Sequence, residues 1–293
     1  MIIVTPDYYP EFVCKAGNCL HTCCKGWEID IDEETYSLYK TIEGDFGKRL
    51  AGAVDHKQRC FKNKESGRCP FLNKENLCDI IIELGEGALC QICADHPRFV
   101  NLVGNREEIG LGLTCEAAAE LILSRNQCMK LVAEGEKVRL SEEENAFLSL
   151  RTELFECIWE NSFENGIKEL EKRLGLSFPK LSGGKIAEIL TKAERLEESW
   201  SQRLLKLKKS RLAVTDITEN MPAKQLFSYF IYRHLAVAVT DGRYVERIKF
   251  AYFSTCAVCL VSLAAEIPIT EAARAYSSEI EYSEENTEML MEI

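Results

Sequence analysis

The order of apolar and polar positions divides the chain into an N-terminal part of short, interrupted patterns and a C-terminal part of long helical ones. Residues 1–26, punctuated by Pro6, Pro10, Gly17 and Gly26, read as irregular. Trp27 to Asp32 alternate apolar and polar, which predicts a short strand. Asp32 is placed to cap a helix over 33–42, with Glu33 and Glu34 favourable in its first turn. The turn-rich block from Arg59 to Leu72 predicts a small hairpin turning at Ser66-Gly67, followed by a polar turn over Asn73 to Asn76. A short helix over 79–85 should stop at Gly85 or Gly87. Pro97 forces an extended backbone before it, and residues 99–113 predict a hairpin turning at Gly104-Asn105. Cys115 then opens an alanine-rich helix from Glu116 to about Ser124.

Beyond about residue 136 the helical period takes over. Ser141 to Glu144 carry a capping-box pattern, and the periodicity runs to Leu174 with a stop at Gly175. After a break at Pro179 and Ser182-Gly183-Gly184, helices are expected over 185–212, 222–240, 243–265 and 270–290. Phe250 to Ala265 is a 16-residue apolar run, shorter than the roughly 20 residues of a membrane span, so it reads as a buried core helix. The predicted fold class is mainly α. A cysteine-rich region of loops and short hairpins over 1–135 joins an all-helical part over 136–293, and the two can share one core.

Composition sharpens this only at a few points. A chain of 293 residues with 46% hydrophobic content can bury a substantial core. Its formal charge of −11, with no basic footprint around the cysteines, disfavours nucleic acid and anionic membrane as partners. The first residues, MIIVTPDYYPEF, lack the basic and long apolar segments of an export signal, so a cytoplasmic location is expected. In that compartment dense cysteines are not expected to be disulfides.

The cysteines are the chemistry of the chain. Ten of the 14 lie between Cys14 and Cys115: Cys14, Cys19, Cys23, Cys24, Cys60, Cys69, Cys78, Cys90, Cys93 and Cys115. They stand among Lys, Asn, Gly and Glu rather than in apolar runs, which speaks against ordinary core packing. Thiolates are soft ligands that select zinc or iron–sulfur clusters. Cys14-x4-Cys19-x3-Cys23-Cys24 places several on one glycine-containing loop, and Cys69-x8-Cys78 adds two at the ends of a hairpin-like excursion. Cys93 and Cys115 would complete the set. Because the paired C-x2-C knuckles of zinc ribbons are missing, apart from Cys90-x2-Cys93, the spacing favours a [4Fe–4S] cluster over zinc.

Other candidates weigh less. His21 and His96 neighbour cysteines and are possible ligands or bases, while His56 and His234 carry no such context, and His234 reads as a satisfied helix residue. Cys256-x2-Cys259 sits in an apolar helix and reads as buried. Arg203 to Arg211 reads as a solvated basic helix face, and Asp7, Glu28, Asp30 and Asp32 are acids that could meet a cationic substrate. No glycine-rich nucleotide loop follows a strand, and Gly26 stands where a radical-type three-cysteine loop would need its third cysteine.

Cys14…Cys19-x3-Cys23-Cys24-Lys25-Gly26-Trp27, Cys69-Pro70-Phe71-Leu72…Leu77-Cys78-Asp79-Ile80…Leu84-Gly85 and Cys93…Pro97-Arg98 resemble the flagellin lysine-N-methylase (FliB) family, within a broader cysteine-cluster group. Thr114-Cys115-Glu116-Ala117-Ala118 and Tyr276 to Asn286 extend the resemblance. His96, where an aromatic is usual, and the additional Cys60 and Cys90 depart from the pattern. The resemblance implies methyl transfer from S-adenosylmethionine to lysine side chains of flagellin, with an iron–sulfur cluster involved. It carries Cys14, Cys19, Cys23, Cys24, Cys69, Cys78, Cys93 and Cys115 over as candidate ligands. The rival expectation is a non-enzymatic zinc- or iron–sulfur-binding module with a helical interaction domain.

Overall fold

The computed structural model describes every residue except Ser66, Lys137, Val138, Thr218 and Glu219. It forms two compact units, Val13–Arg98 and a second made of Met1–Phe12 with Phe99–Ile293. The division falls at residues 98/99 rather than near 135, because strands from both sides of the cysteine-rich unit pair in the same sheet.

That sheet is the main departure from the expected pattern. Strand β1 (Ile2–Pro6) is built from the β-branched run Ile2-Ile3-Val4-Thr5, in a stretch expected to be irregular. In the 13–98 unit, α1 (Glu33–Thr41) and α2 (Gly44–Ala53) precede the two-residue strands β2 (Val54–Asp55) and β3 (Cys60–Phe61). Helices α3 (Asp79–Leu84) and α4 (Gln91–Asp95) follow. The predicted hairpin is β4 (Arg98–Val103) and β5 (Arg106–Leu111), turning at Gly104-Asn105 as expected. After α5 (Glu116–Leu123), strand β6 (Leu131–Glu134) completes a four-stranded sheet in the order β4-β5-β1-β6. β1 runs parallel to β5, with Ile2 opposite Arg106, and antiparallel to β6.

The remainder is helical. The capping box forms at Ser141, whose hydroxyl accepts the Glu144 amide while the Glu144 carboxylate accepts the Ser141 amide. The helix it starts, α6 (Glu142–Trp159), stops short of Leu174, because Ser162 caps a separate α7 (Phe163–Leu174) that ends at Gly175. The expected 185–212 helix likewise divides into α8 (Gly183–Leu190) and α9 (Glu198–Lys209). α10 (Asn220–His234), the short α11 (Ala238–Asp241) and α12 (Tyr244–Ala265) follow. The 270–290 segment becomes α13 (Ile269–Tyr276), a π-helical turn at Ser277–Glu281, and α14 (Glu284–Met291). α12 is long and apolar enough to cross a membrane, yet 78% of its most apolar stretch is buried inside this unit. Phe250, Phe253, Val258 and Leu260 there pack with Phe227, Phe230 and Ile231 in one core.

Removing the Ser141 hydroxyl leaves the Glu144 amide without its cap. Ser141→Ala is expected to lower the unfolding free energy by about 1 kcal/mol, measured by thermal denaturation. An unchanged melting temperature would show that water replaces the cap without loss.

Candidate metal centre

The 13–98 unit has a small core of Ile29, Ile31, Tyr39, Leu50, Phe61, Phe71 and Ile80. Trp27 to Asp32 keep the predicted alternation, with Ile29 and Ile31 buried and Glu28 and Asp30 exposed, but only an isolated bridge from Asp30 to Cys60 forms instead of a strand. Asp32 caps α1 as expected, accepting the Thr35 amide at 2.9 Å, and its other oxygen accepts the Gln91 amide at 2.8 Å. Burial raises the Asp32 carboxyl, but the hydrogen bonds from Gln91 and Thr35 outweigh it and hold it below the usual range. This carboxylate is therefore spent on fixing the start of α4, beside Cys90, rather than left to receive a cation.

The hairpin-like excursion expected between Cys69 and Cys78 is present. Asn73 closes it: its amide donates to the Leu77 carbonyl, and its side-chain oxygen accepts the amides of Glu75 and Leu77. Leu72 and Cys78 then pair as a bridge, and α3 begins at Asp79 and stops at Gly85, where φ is +85°. Arg49 of α2 clamps the two ends, donating to the Pro70 carbonyl at 2.9 Å and pairing with Asp79 at 2.6 Å. The Gly67 amide donates to the Lys64 carbonyl, and Ser66 of the expected turn lies outside the described residues.

Around this excursion the sulfurs gather. The Cys69 amide donates to the Cys24 carbonyl at 2.9 Å, which fixes the Cys23-Cys24 pair against it. The Trp27 indole donates to the Cys23 carbonyl at 2.6 Å. A hydrogen bond with Cys23, helped by Thr22 and the Arg68 charge, lowers the Cys24 thiol to about 7 against the effect of burial. Burial pushes Cys69 up to about 12 and raises Cys78 as well, and both thiols feel the charge of Cys24. Cys90 and Cys93 hydrogen-bond sulfur to sulfur, so that one is more acidic and the other less, and Cys93 also feels Cys24 and Cys69. The Tyr39 hydroxyl lies 3.6 Å from the Cys90 sulfur. Cys24, Cys69, Cys78, Cys90 and Cys93 are thiols, not disulfides.

Of the sequence candidates, Cys23, Cys24, Cys69, Cys78 and Cys93 thus share one neighbourhood. Cys14 and Cys19 lie on the neighbouring loop, where the Cys14 sulfur accepts the Ala16 amide. That loop packs closely on the Cys78 excursion: a Cβ at Gly17 would fall 2.6 Å from the Glu75 carbonyl oxygen. Cys115 stands at the N-terminus of α5 in the other unit. Cys90, set aside in the sequence as additional, belongs to the gathering; its C-x2-C spacing to Cys93 was the available signal. Cys60 is buried in β3, its thiol raised by burial and by Glu28 and Asp55, and it pairs with Asp30 instead.

Two of the histidines, His56 and His234, are engaged elsewhere. His56 bonds the Tyr36 hydroxyl at 3.0 Å and the Ala51 carbonyl at 3.1 Å. Burial, then the Arg98 charge, lowers His96 to about 4. His234 is buried against Glu281 at 2.7 Å, a satisfied helix residue as read. Cys256 and Cys259 are buried in α12. Asp7 pairs with Arg125 at 3.1 Å.

The donor set suits a soft metal by kind: five partly or fully buried thiols, Cys24, Cys69, Cys78, Cys90 and Cys93, lie within the one small unit. Among the described residues, no group of three or more His, Cys, Asp or Glu side chains already stands in a metal-holding arrangement. As thiols, Cys23 and Cys24, and Cys90 and Cys93, hydrogen-bond to each other in pairs.

No family model matches the chain, and no solved structure matches it. It is similar to the flagellar biosynthetic protein FliU of Salmonella muenchen, 29% identical over 147 residues, which is 47% of this chain and 85% of that protein. It is also similar to the lysine-N-methylases of Salmonella typhimurium and Salmonella choleraesuis, each 28% identical over 137 residues, 44% of this chain. The matched region spans 34% of the length of each of those two lysine-N-methylases. The chain thus resembles the lysine-N-methylase (FliB) family at modest identity, over nearly half its length.

Proposed function

We propose that the chain is a protein-lysine N-methyltransferase of the cytoplasm that transfers a methyl group from S-adenosylmethionine to lysine side chains of flagellin. The observation that carries the activity is the similarity to the two lysine-N-methylases. The reaction forms a bond from the lysine nitrogen to the methyl carbon and breaks the methyl–sulfonium bond. S-adenosylhomocysteine leaves, and the nitrogen gives its proton to solvent or a base. Only the neutral amine attacks, and a free lysine titrates near 10.4, so activity rises with pH through the neutral range.

The cysteine gathering supports a bound [4Fe–4S] cluster, with zinc as the alternative, held by Cys24, Cys69, Cys78 and Cys93 or Cys90 and joined by ligands from among Cys14, Cys19 and Cys23. Such a centre supplies a fixed charge and structural closure when bound. The chain's own residues set its frame: Arg49 and Asn73 hold the two ends of the Cys69–Cys78 excursion, and Asp32 holds the start of the Cys90–Cys93 helix.

The test is mass spectrometry of flagellin incubated with the anaerobically prepared protein and the donor. Expected is a ladder of added methyl groups on flagellin lysines, stronger at pH 9 than at pH 6. Unmodified flagellin from a donor-supplied, metal-loaded preparation overturns the reading. That result favours the metal-binding module with a helical interaction domain.

A further inference from the structure

Within the unit that contains the sheet, a cavity of about 490 Å³ opens between α6 and the strands, lined by Arg106, Cys128, Leu148, Arg151, Phe155 and Trp159. Its volume falls in the range of small-molecule sites. The charges beside it are uneven. Glu108 of β5 is fully buried and takes both nitrogens of Arg151, one of them at 2.9 Å, so its charge is already matched. Arg106 reaches the same carboxylate only at 3.4 Å. The Arg106 side chain is 13% exposed, and its Nε is buried with no acceptor among the described residues. Lys224, also buried, stands 5.6 Å from the Trp159 ring and donates to the Trp159 carbonyl. Glu156 and Glu160 also line the cavity, and both are exposed to water.

Arg106 and Arg151, both largely shielded from water, thus share one buried carboxylate, which leaves one positive charge over, and Arg106 lines the cavity. A buried donor without an acceptor is costly, and a cation in this setting calls for an anion. The remaining wall is flat and apolar, from the Trp159 indole and Phe155 beside Leu148 and Leu131. We propose that this cavity binds a small molecule that carries an anionic group and a flat ring. Its carboxylate or phosphate meets Arg106, and its ring lies against the Trp159 and Phe155 wall. One molecule of that chemistry is the methyl donor, with an amino-acid carboxylate and a purine; placing the donor here rests on the methyltransferase reading, whereas the cavity's ligand class does not.

The test is calorimetric titration of the full chain with S-adenosylhomocysteine as the carboxylate source, AMP as the phosphate source and adenosine as the ring without either anion. At least one of the first two is expected to bind, with adenosine at least about tenfold weaker. Arg106→Gln, which removes a charge-assisted hydrogen bond, is expected to weaken binding about 10- to 100-fold. Thr152→Trp is expected to abolish it by filling the mouth from an exposed position of α6. If Arg106→Gln does not fold, Thr152→Trp decides alone. S-adenosylhomocysteine binding that is lost in the variants places the donor in this cavity. AMP binding with the same losses, and none by S-adenosylhomocysteine, keeps the anion site and removes the donor from it. Absence of binding by both probes, or binding unchanged in the variants, overturns the proposal. Flagellin methylation that persists in Thr152→Trp, with S-adenosylhomocysteine still bound, refutes the cavity alone and leaves the methyltransferase standing.

Discussion

Stripping the metal from anaerobically purified protein is expected to unfold residues 13–98 while the rest of the chain keeps most of its far-ultraviolet circular dichroism. The 13–98 unit has little else to hold it. Its helices run from five to ten residues, too short to persist alone, and among the described residues its one ladder joins strands of two residues. Its aromatic centre, Phe61 against Phe71 and Tyr39, is small for a segment of this length. In such domains metal binding is folding free energy, about 10–16 kcal/mol for structural zinc in small peptides. The other unit buries α12 and α10 in its own core and needs no such support. Hydrogen exchange read by mass spectrometry separates the two: amides of 13–98 should lose protection on chelation, and those of α10 and α12 should retain it. Cys69→Ser and Cys78→Ser should lose metal. Cys256→Ala and Cys259→Ala should keep it, with packing losses of about 1–2 kcal/mol. Full protection of 13–98 after complete metal removal would sink the proposed centre.

What the sequence made legible were the features decided within a few residues. The Asp32 cap, the Ser141 capping box, the turn at Gly104-Asn105 and the stops at Gly85 and Gly175 each depend on one local hydrogen bond or one backbone angle, and each is found. The Cys69–Cys78 excursion was legible for the same reason. What stayed hidden depends on distant partners. Three glycines in GDFGKRLAGA lower helix propensity enough to mask α2, and with it Arg49, which fastens the cysteine excursion. β1 is a β-branched run with a clear local signal, but its parallel pairing with β5 joins residues a hundred positions apart. The divided helices follow from Ser162, a cap inside what reads as continuous periodicity. Cys90 was discounted because the resemblance had no place for it, although its spacing to Cys93 was visible.

Glu281→Gln is expected to cost about 3–5 kcal/mol, because it strands a buried guanidinium. Glu281 is fully buried and receives Arg233 Nε at 3.2 Å, His234 Nε2 at 2.7 Å and the Tyr229 hydroxyl at 3.1 Å. Arg233, stacked between the rings of Phe99 and Tyr282, would keep its charge with no carboxylate beside it. The same cluster sets a pH dependence. Burial raises the Glu281 carboxyl, but Arg233 and His234 outweigh it and hold it below the usual range. For His234, burial is the largest influence and, with Arg233 and Arg247, outweighs Glu281, so the ring titrates below its ordinary value. Both groups bind protons more tightly in the unfolded chain, so their stabilisation is complete above the unfolded histidine value near 6.5 and is lost as pH falls. His234 acts first, by up to about 1.4 kcal/mol per pH unit below 6.5, and Glu281 contributes only below about 4.3. His96 is depressed as well, but it belongs to the 13–98 unit, so the comparison must be internal. His234→Gln, which keeps a donor toward Glu281 without a titrating ring, should flatten the decline in melting temperature between pH 6.5 and pH 5 relative to the unaltered chain. Parallel pH profiles for the two proteins would show that His234 is not held neutral by its burial.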